Sequence, residues 1–591
     1  MRPLSRRSFL VTLTLAGTSG VIRAQGDPDD DVILKAMREE LARSRQLRVV
    51  GGGGDDLPYF ISYTVGDEDS FGITASLGST LSSTHSRARF PFIEVRVGSA
   101  DFDNTGHSAT GYYAGSRYDE QPWPLDDNYQ AIRQALWLAT DHAYKAAVES
   151  IARKRAAQLN VSAADRLPDY SSTEPIKSLA KVSRRQIDAA SWTPRIAKLS
   201  GIFNSYPEVE TSGIDLHVNL GTTYLVNSEG TEIRYPDNIL WLFAKAQGQA
   251  PDGMIVRDGL SIQKLEPDQF PNEADLAKAL TAMAENVKTQ VHAPAGESFT
   301  GPVLFEPIAA GQLLAQLLGD NLSIPRKPIG DAGRFVASEL EGRIGSRVLP
   351  EWMNVTDDPT QTIWQGKPLA GFYPFDLEGV RPKPVSVIEK GVLRSYLTTR
   401  QPVKGSQGSN GHARLPGNFG ARRATLSNLF VTARESSSMA DLKTRMIALL
   451  KDRDKPYGML VRRLDFPFSA GLAEMQALGA ASSQSGGSVR PVSPPILIYR
   501  VFPDGREELV RGLRFRGIST RSLRDIMAAS SETALFEYVA NGVPMSILGV
   551  GGLLAPVSVI SPGLLFEEME LEFPQEPLPK LPLVPPPPVN S

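Results

Sequence analysis

Cysteine is absent from this 591-residue sequence, and histidine occurs six times, as His85, His107, His142, His217, His292 and His412. The first absence removes thiolate nucleophiles, cysteine-ligated zinc, iron–sulfur clusters and disulfides together. The second leaves no two histidines within five residues of each other, so no local H-E-x-x-H pair exists. A site gathered from distant histidines stays open at this level. Long basic runs are also missing: 63 Lys and Arg stand against 66 Asp and Glu, a net charge of -3 that does not suit a nucleic-acid partner. Neither G-x-G-x-x-G nor a P-loop occurs. The glycines Gly51 to Gly54 run into Asp55 and Asp56, which would repel a phosphate, so they read as a connector. G-x-S-x-G is absent as well. Ser409 lies close to His412, but within a Gly405–Gly411 stretch that reads as a mobile loop, too loose to align a nucleophile.

The length calls for two or three domains, and 41% hydrophobic with 22% charged residues is a globular composition. The N-terminus, "SRRSFLVTLTLAGTSGVIRAQ", sets Arg6 and Arg7 before Phe9-Leu10 and a mildly apolar run. It resembles a twin-arginine export signal, with Val11 at the usual Lys position and Ile22-Arg23-Ala24 as the cleavage site. Removal of residues 1–24 takes away four arginines and no acid, so the mature chain carries -7. The expected location is periplasmic or otherwise extracytoplasmic, with no membrane span after signal removal. The uncharged stretch Val543–Phe566 has the length of a span, but Pro544, Pro556, Pro562 and four glycines divide it into buried strands. The tail 576–591 is proline-rich and reads as an extended, disordered end.

Between these ends the pattern predicts an α+β fold. "LPYFISYTV", "FGITASLGST" and "FIEVRVGSA" read as separate antiparallel strands. The following helix places Ile132, Ala135, Leu136, Leu138 and Ala139 on one stripe. Thr193-Pro194 reads as a cap and first position of a second helix. Turns are expected at Leu220-Gly221 and Ser228-Glu229-Gly230, and another helix opens at Asn272-Glu273. His142 and His217 read as packed or surface histidines. From 301 the chain turns to short β segments, with hairpins at Glu389-Lys390-Gly391 and Pro503-Asp504-Gly505. The expected organisation is a 25–300 α+β domain, an antiparallel sheet covered by long helices, followed by a β-rich domain over 301–575.

"VRVGSADFDNTGH", "YLVNSEGTEIRY", "GPVLFEPIAAGQLL", "FDLEGVRPKPVSVIEKGVLRSYLTTR", "LPGNFGARRATLSN" and "DGREELVRGLRFRG" occur in that order over roughly residues 90–520. Together they resemble the TldD/PmbA family, historically named modulators of DNA gyrase and classed with zinc peptidases. The resemblance implies HExxxH at a strand-to-helix junction in the TldD-type subunit, with a cysteine near the C-terminus as a further ligand. Two imidazoles and a thiolate would hold zinc, and the Glu would take a proton from the attacking water. In this sequence the two ligand positions are Phe305 and Ala310, only Glu306 survives, and the cysteine is missing.

That departure resembles the PmbA/TldE-type subunit, which pairs with a metal-bearing partner. The resemblance implies no cofactor in this chain, zinc in a TldD-like partner subunit or else a homodimer, and an unfolded peptide as substrate. Asp376, Glu378, His412, Arg414, Arg422 and Arg423, with Phe305 and Ala310, are candidates for the substrate cavity; structural salt bridges and turns are the alternative reading. Two other functions stay open: an active hydrolase with a metal site built from Glu306, His412 and Asp376, and a peptide-binding scaffold without a protease partner.

Overall fold

Valine, isoleucine and aromatic residues alternate with polar ones from Pro58 onward, and the alternation does not stop where glycine and acids interrupt it. The computed structural model describes residues 31–47, 57–107, 116–118, 123–158, 167–182, 185–329, 337–406, 408–417, 420–467, 492–541, 554–575, 577–582 and 584. The twin-arginine segment, the Gly51–Gly54 connector and most of the proline-rich tail lie outside these residues. Helix α1 spans Val32–Ser44. Strand β1, Pro58–Ser76, turns at Leu77-Gly78 into β2, Ser79–Val97. Helix α2, Tyr129–Gln158, and α3, Ala189–Ser200, precede β3, Thr211–Asn227, β4, Glu232–Gln249, and β5, Ile255–Lys264. Helix α4 is Glu273–His292, with Asn272 capping it as expected.

These strands form one sheet in the order β2-β1-β3-β4-β5, every neighbour antiparallel, with two three-residue strands added. Ile61, Tyr63 and Val65 face a core shared with α1 and α2, and Phe71, Ile73 and Ala75 face a core shared with α3 and α4. All six are odd-numbered positions of one strand, so both helix pairs cover the same face. On the opposite face Leu225, Ile233 and Tyr235 pack against Phe375 from the second half of the chain.

The local structure departs from the sequence pattern at four places. "LPYFISYTV" and "FGITASLGST" are one strand, because Asp67 and Glu68 between them are satisfied inside the sheet by Arg87, Arg89 and Asn219. Leu220-Gly221 is not a turn: β3 runs through it, and Gly221 sits where a Cβ would lie a tight 3.1 Å from Asp237 O and 3.0 Å from Glu68 Cγ. Helix α3 starts five residues before Pro194, capped by Asp188, and Thr193 Oγ1 donates to Ala189 O at 2.9 Å instead of capping. Leu138 points outward, being about 200° round the helix from buried Leu136. The turn at 228–230 and the hairpins at 389–391 and 503–505 form as expected.

The second half is built on an eleven-stranded mixed sheet. Strand β6, Phe299–Phe305, leads into α5, Pro307–Leu322. Strands β7, Met353–Asp357, and β8, Asn428–Ala433, helix α6, Met439–Asp452, and strands β9, Gly458–Leu464, β10, Pro495–Val501, β11, Ile526–Asn541, and β12, Leu554–Glu572, complete its centre. The order through the middle is β7-β8-β12-β6-β9-β10, with α5 on one face and α6 on the other. The described part of the uncharged stretch is buried strand, but Pro556 and Pro562 do not divide it as expected: β12 runs through both from Leu554 to Glu572. Pro556 and Pro562 flank the residues of β12 that pair with β8, so neither missing N–H interrupts that ladder. Among the described residues no helix is long and apolar enough to cross a membrane.

Candidate functional site

Strand β6 lies between β9, parallel to it, and β12, antiparallel. Its alternation sends Val303 and Phe305 toward α5 and Leu304 toward α6. Phe305 is fully buried, 5.8 Å from the Phe515 ring and edge-on to Phe566 at 5.5 Å. The backbone then turns. Glu306 N–H donates to Val461 O, Glu306 O accepts from Ala310 N–H, both at 2.9 Å, and Pro307 opens α5, where a missing N–H costs nothing. Ala310, one turn in, is also fully buried.

Glu306 is partly exposed at this junction, as are Pro307 and Ile308. Its carboxylate accepts from Arg462 Nε at 2.9 Å; Arg462 also donates to Glu507 at 2.7 Å and lies over the Tyr499 ring at 4.4 Å. The two positions that would flank a metal carry a phenyl ring and a methyl group turned into the core, and the acid between them is engaged with arginine. These residues do not fit a zinc ion. Among the described residues no three His, Asp or Glu side chains stand together so as to hold a metal. Glu306, His412 and Asp376 belong to three separate networks.

His412, wholly buried, sets Nε2 3.0 Å from Asp357 Oδ1 and Nδ1 2.9 Å from Asn410 Oδ1. Ser427 donates to the same Asp357 through its backbone N–H at 3.0 Å and its hydroxyl. Ser409 takes no part: its hydroxyl donates toward Thr398 O, and Asn410 ties its loop to Thr398 and Tyr396.

Asp376 and Arg414 come together in the wall of a cavity of ≈ 380 Å³ between β4 and the 368–377 loop, beside Tyr235, Asp237 and Tyr373. Asp376 accepts from the N–H groups of Glu378 at 3.0 Å, Val380 at 2.9 Å and Ala413 at 3.2 Å. Burial, reinforced by the neighbouring Glu378, still pushes its carboxyl up to about 8. Arg414 donates to Leu426 O and to Pro556 O and stacks on Tyr373 at 4.5 Å. Burial disfavours its charge. Glu378 accepts from Arg400 N–H at 2.6 Å, and burial raises its carboxyl as well. Arg422 lies 3.7 Å over the Phe92 ring of β2, and Arg423 pairs with Asp320.

Sequence reading missed a buried ionic network that joins the two halves. Arg96 pairs with Glu94 at 2.6 Å and Asp103 at 2.7 Å. Lys154 pairs with Asp169, which also meets Arg326 at 3.2 Å. The Tyr170 ring lies between the guanidinium groups of Arg96 at 3.7 Å and Arg400 at 4.1 Å, and Arg400 continues to Glu229 at 2.7 Å. One signal was available: Lys154 falls on the buried stripe of α2, after Ala147 and Ile151, where a lysine needs a partner.

Residues 298–464, the stretch holding the junction, match the model of the PmbA/TldA metallopeptidase C-terminal domain. Over these residues the chain is similar to a PmbA/TldD-family C-terminal domain. A metalloprotease of Archaeoglobus fulgidus is 41% identical over 81 residues, which is 14% of this chain and 18% of that protein. A metalloprotease of Methanothermobacter thermautotrophicus is 25% identical over 234 residues, 39% of this chain and 46% of that protein. The chain thus matches less than half the length of these curated relatives. Among solved structures, TldE from Thermococcus kodakarensis superposes with a TM-score of 0.56 at 13% identity, covering 91% of this chain and 100% of that one. A Thermotoga maritima protein named as a modulator of a DNA gyrase gives 0.53 at 13% identity, covering 87% and 96%. At such identity the likeness is one of fold alone, and it reaches beyond residues 298–464.

Proposed function

We propose that this chain is the non-catalytic, PmbA/TldE-type subunit of an exported metallopeptidase that acts on unfolded or extended peptides. The observation that carries the reading is the junction itself: Phe305 and Ala310 are core residues, and Glu306 is held by Arg462. Without a bound ion to lower the pKa of a water, a carboxylate in that position has no hydroxide to generate. The chain then supplies half of the chamber wall and contacts the peptide, while a TldD-like subunit carrying HExxxH supplies zinc. The paired arginines at the N-terminus support export in folded form, after the chain has taken shape and before it meets peptides in the periplasm. Purification from the native host tests the pairing. The reading expects an HExxxH-bearing chain to copurify in constant ratio, and peptidase activity to appear only with both chains present. A chain that purifies alone and hydrolyses peptides would overturn it.

A further inference from the structure

The chain stays against the body after β12 ends. Phe573 N–H donates to Ser298 Oγ at 3.2 Å, and farther on the carbonyl oxygens of Pro579 and Lys580 accept from Gln249 Nε2 at 3.2 and 3.4 Å, at the turn between β4 and β5. That same amide group donates to Gly253 O at 2.8 Å, which fixes its direction. Gly253 has φ +96°, and a Cβ there would meet Pro579 O at 2.2 Å, so this turn admits the tail backbone only because it carries glycine.

Beside the tail lies a cavity of ≈ 440 Å³, walled by Met254, Ile255, Leu513 and Phe515 on one side and by Pro577 and Leu578 on the other. Arg511 braces the body wall, donating to Asp252 at 2.8 Å and Ala293 O at 2.9 Å. Residues 577–582 form neither helix nor strand, and three of the six are proline. Proline fixes φ, so an extended shape is present before docking and little chain entropy is lost on contact. Proline also offers no N–H, so a partner must recognise its carbonyl groups with a donor and its rings with apolar or aromatic surface. Gln249 is that donor, and Phe515, Leu513 and Met254 are that surface.

We propose that the groove between the β4–β5 turn and residues 511–515 is a receptor for an extended, proline-rich peptide segment, filled in cis by residues 577–582 of this chain. Docked, the segment straps the turn of the first sheet to the end of the second.

The test compares the full mature chain with one lacking residues 577–591, using a fluorescent synthetic peptide of residues 574–591 and reading anisotropy. The truncated chain binds the peptide at least about tenfold more tightly than the full chain, where the tethered copy competes at high effective concentration. A peptide with its prolines replaced by alanine binds about tenfold more weakly. Failure of the folded truncated chain to bind, or equal binding of the alanine peptide, overturns the proposal. Should the truncated chain not fold, trypsin cleavage after Lys580 in full-length Gln249→Ala decides. Faster cleavage than in the unaltered chain supports the strap, and an equal rate overturns it.

Discussion

The Glu306 carboxylate lies 2.9 Å from Arg462 Nε, each side chain being 36% exposed, and this ion pair occupies the one acid at the strand-to-helix junction. Half-exposed pairs contribute little after screening. Glu306→Gln should therefore lower stability by no more than about 1 kcal/mol, checked by thermal unfolding. A catalytic carboxylate would behave differently: its loss would abolish peptide hydrolysis by the isolated chain while leaving stability untouched.

Phe305 fills core volume, stacked on Phe515 and edge-on to Phe566. Phe305→Ala should cost about 3–5 kcal/mol in denaturant unfolding, as for other large-to-small core changes. Phe305→His should be destabilising as well, and should not by itself create a zinc site, because Phe305 is packed among apolar and aromatic core side chains. A folded Phe305→His chain with near-unaltered stability would contradict the packing described.

Asp376 gives the protein a pH dependence of defined sign. Its carboxyl rises from an ordinary 3.8 to about 8 in the folded chain, so folding favours the protonated form. The stability this group contributes is fully present below 3.8, declines as pH rises, and is gone above about 8. Melting temperatures at pH 5, 7 and 8.5 should fall less steeply for Asp376→Asn than for the unaltered chain. The variant starts from lower stability at pH 5, since its amide can turn only one acceptor atom toward the three N–H groups, a loss of about 1 kcal/mol. Parallel pH profiles would rule out Asp376 as the source.

His412 and Ser427 share Asp357, with no solvent reaching His412 or Asp357. His412→Ala leaves a buried carboxylate short of a partner and should cost about 3 kcal/mol, read as a lower denaturant midpoint. The same variant should leave bound metal unchanged; loss of a stoichiometric ion would revive a metal site built from dispersed residues.

The α+β architecture was legible because its signals are local. Asn272 caps α4, Gly391 and Gly505 turn hairpins, and alternation marks the strands. Two of the misreadings share one cause, which is tertiary accommodation of residues that look like breakers. Asp67 and Glu68 resemble a loop until Arg87, Arg89 and Asn219 arrive from neighbouring strands, and Gly221 resembles a turn until the crowding around it is known. The strand-to-helix junction that holds Phe305, Glu306 and Ala310 was legible because its apolar run and Pro307 lie close together in sequence. The Arg96–Tyr170–Arg400 stack was not, since its members are far apart in sequence and meet only through the packing of the two halves.

Metal content of the purified mature chain tests the central claim most directly, measured by elemental analysis before and after Glu306→Ala. An interior ring at position 305 and an interior methyl at position 310 predict, under the proposed function, no stoichiometric zinc in either form and no peptidase activity without an HExxxH-bearing partner. One zinc per chain, lost on Glu306→Ala together with activity, would contradict it.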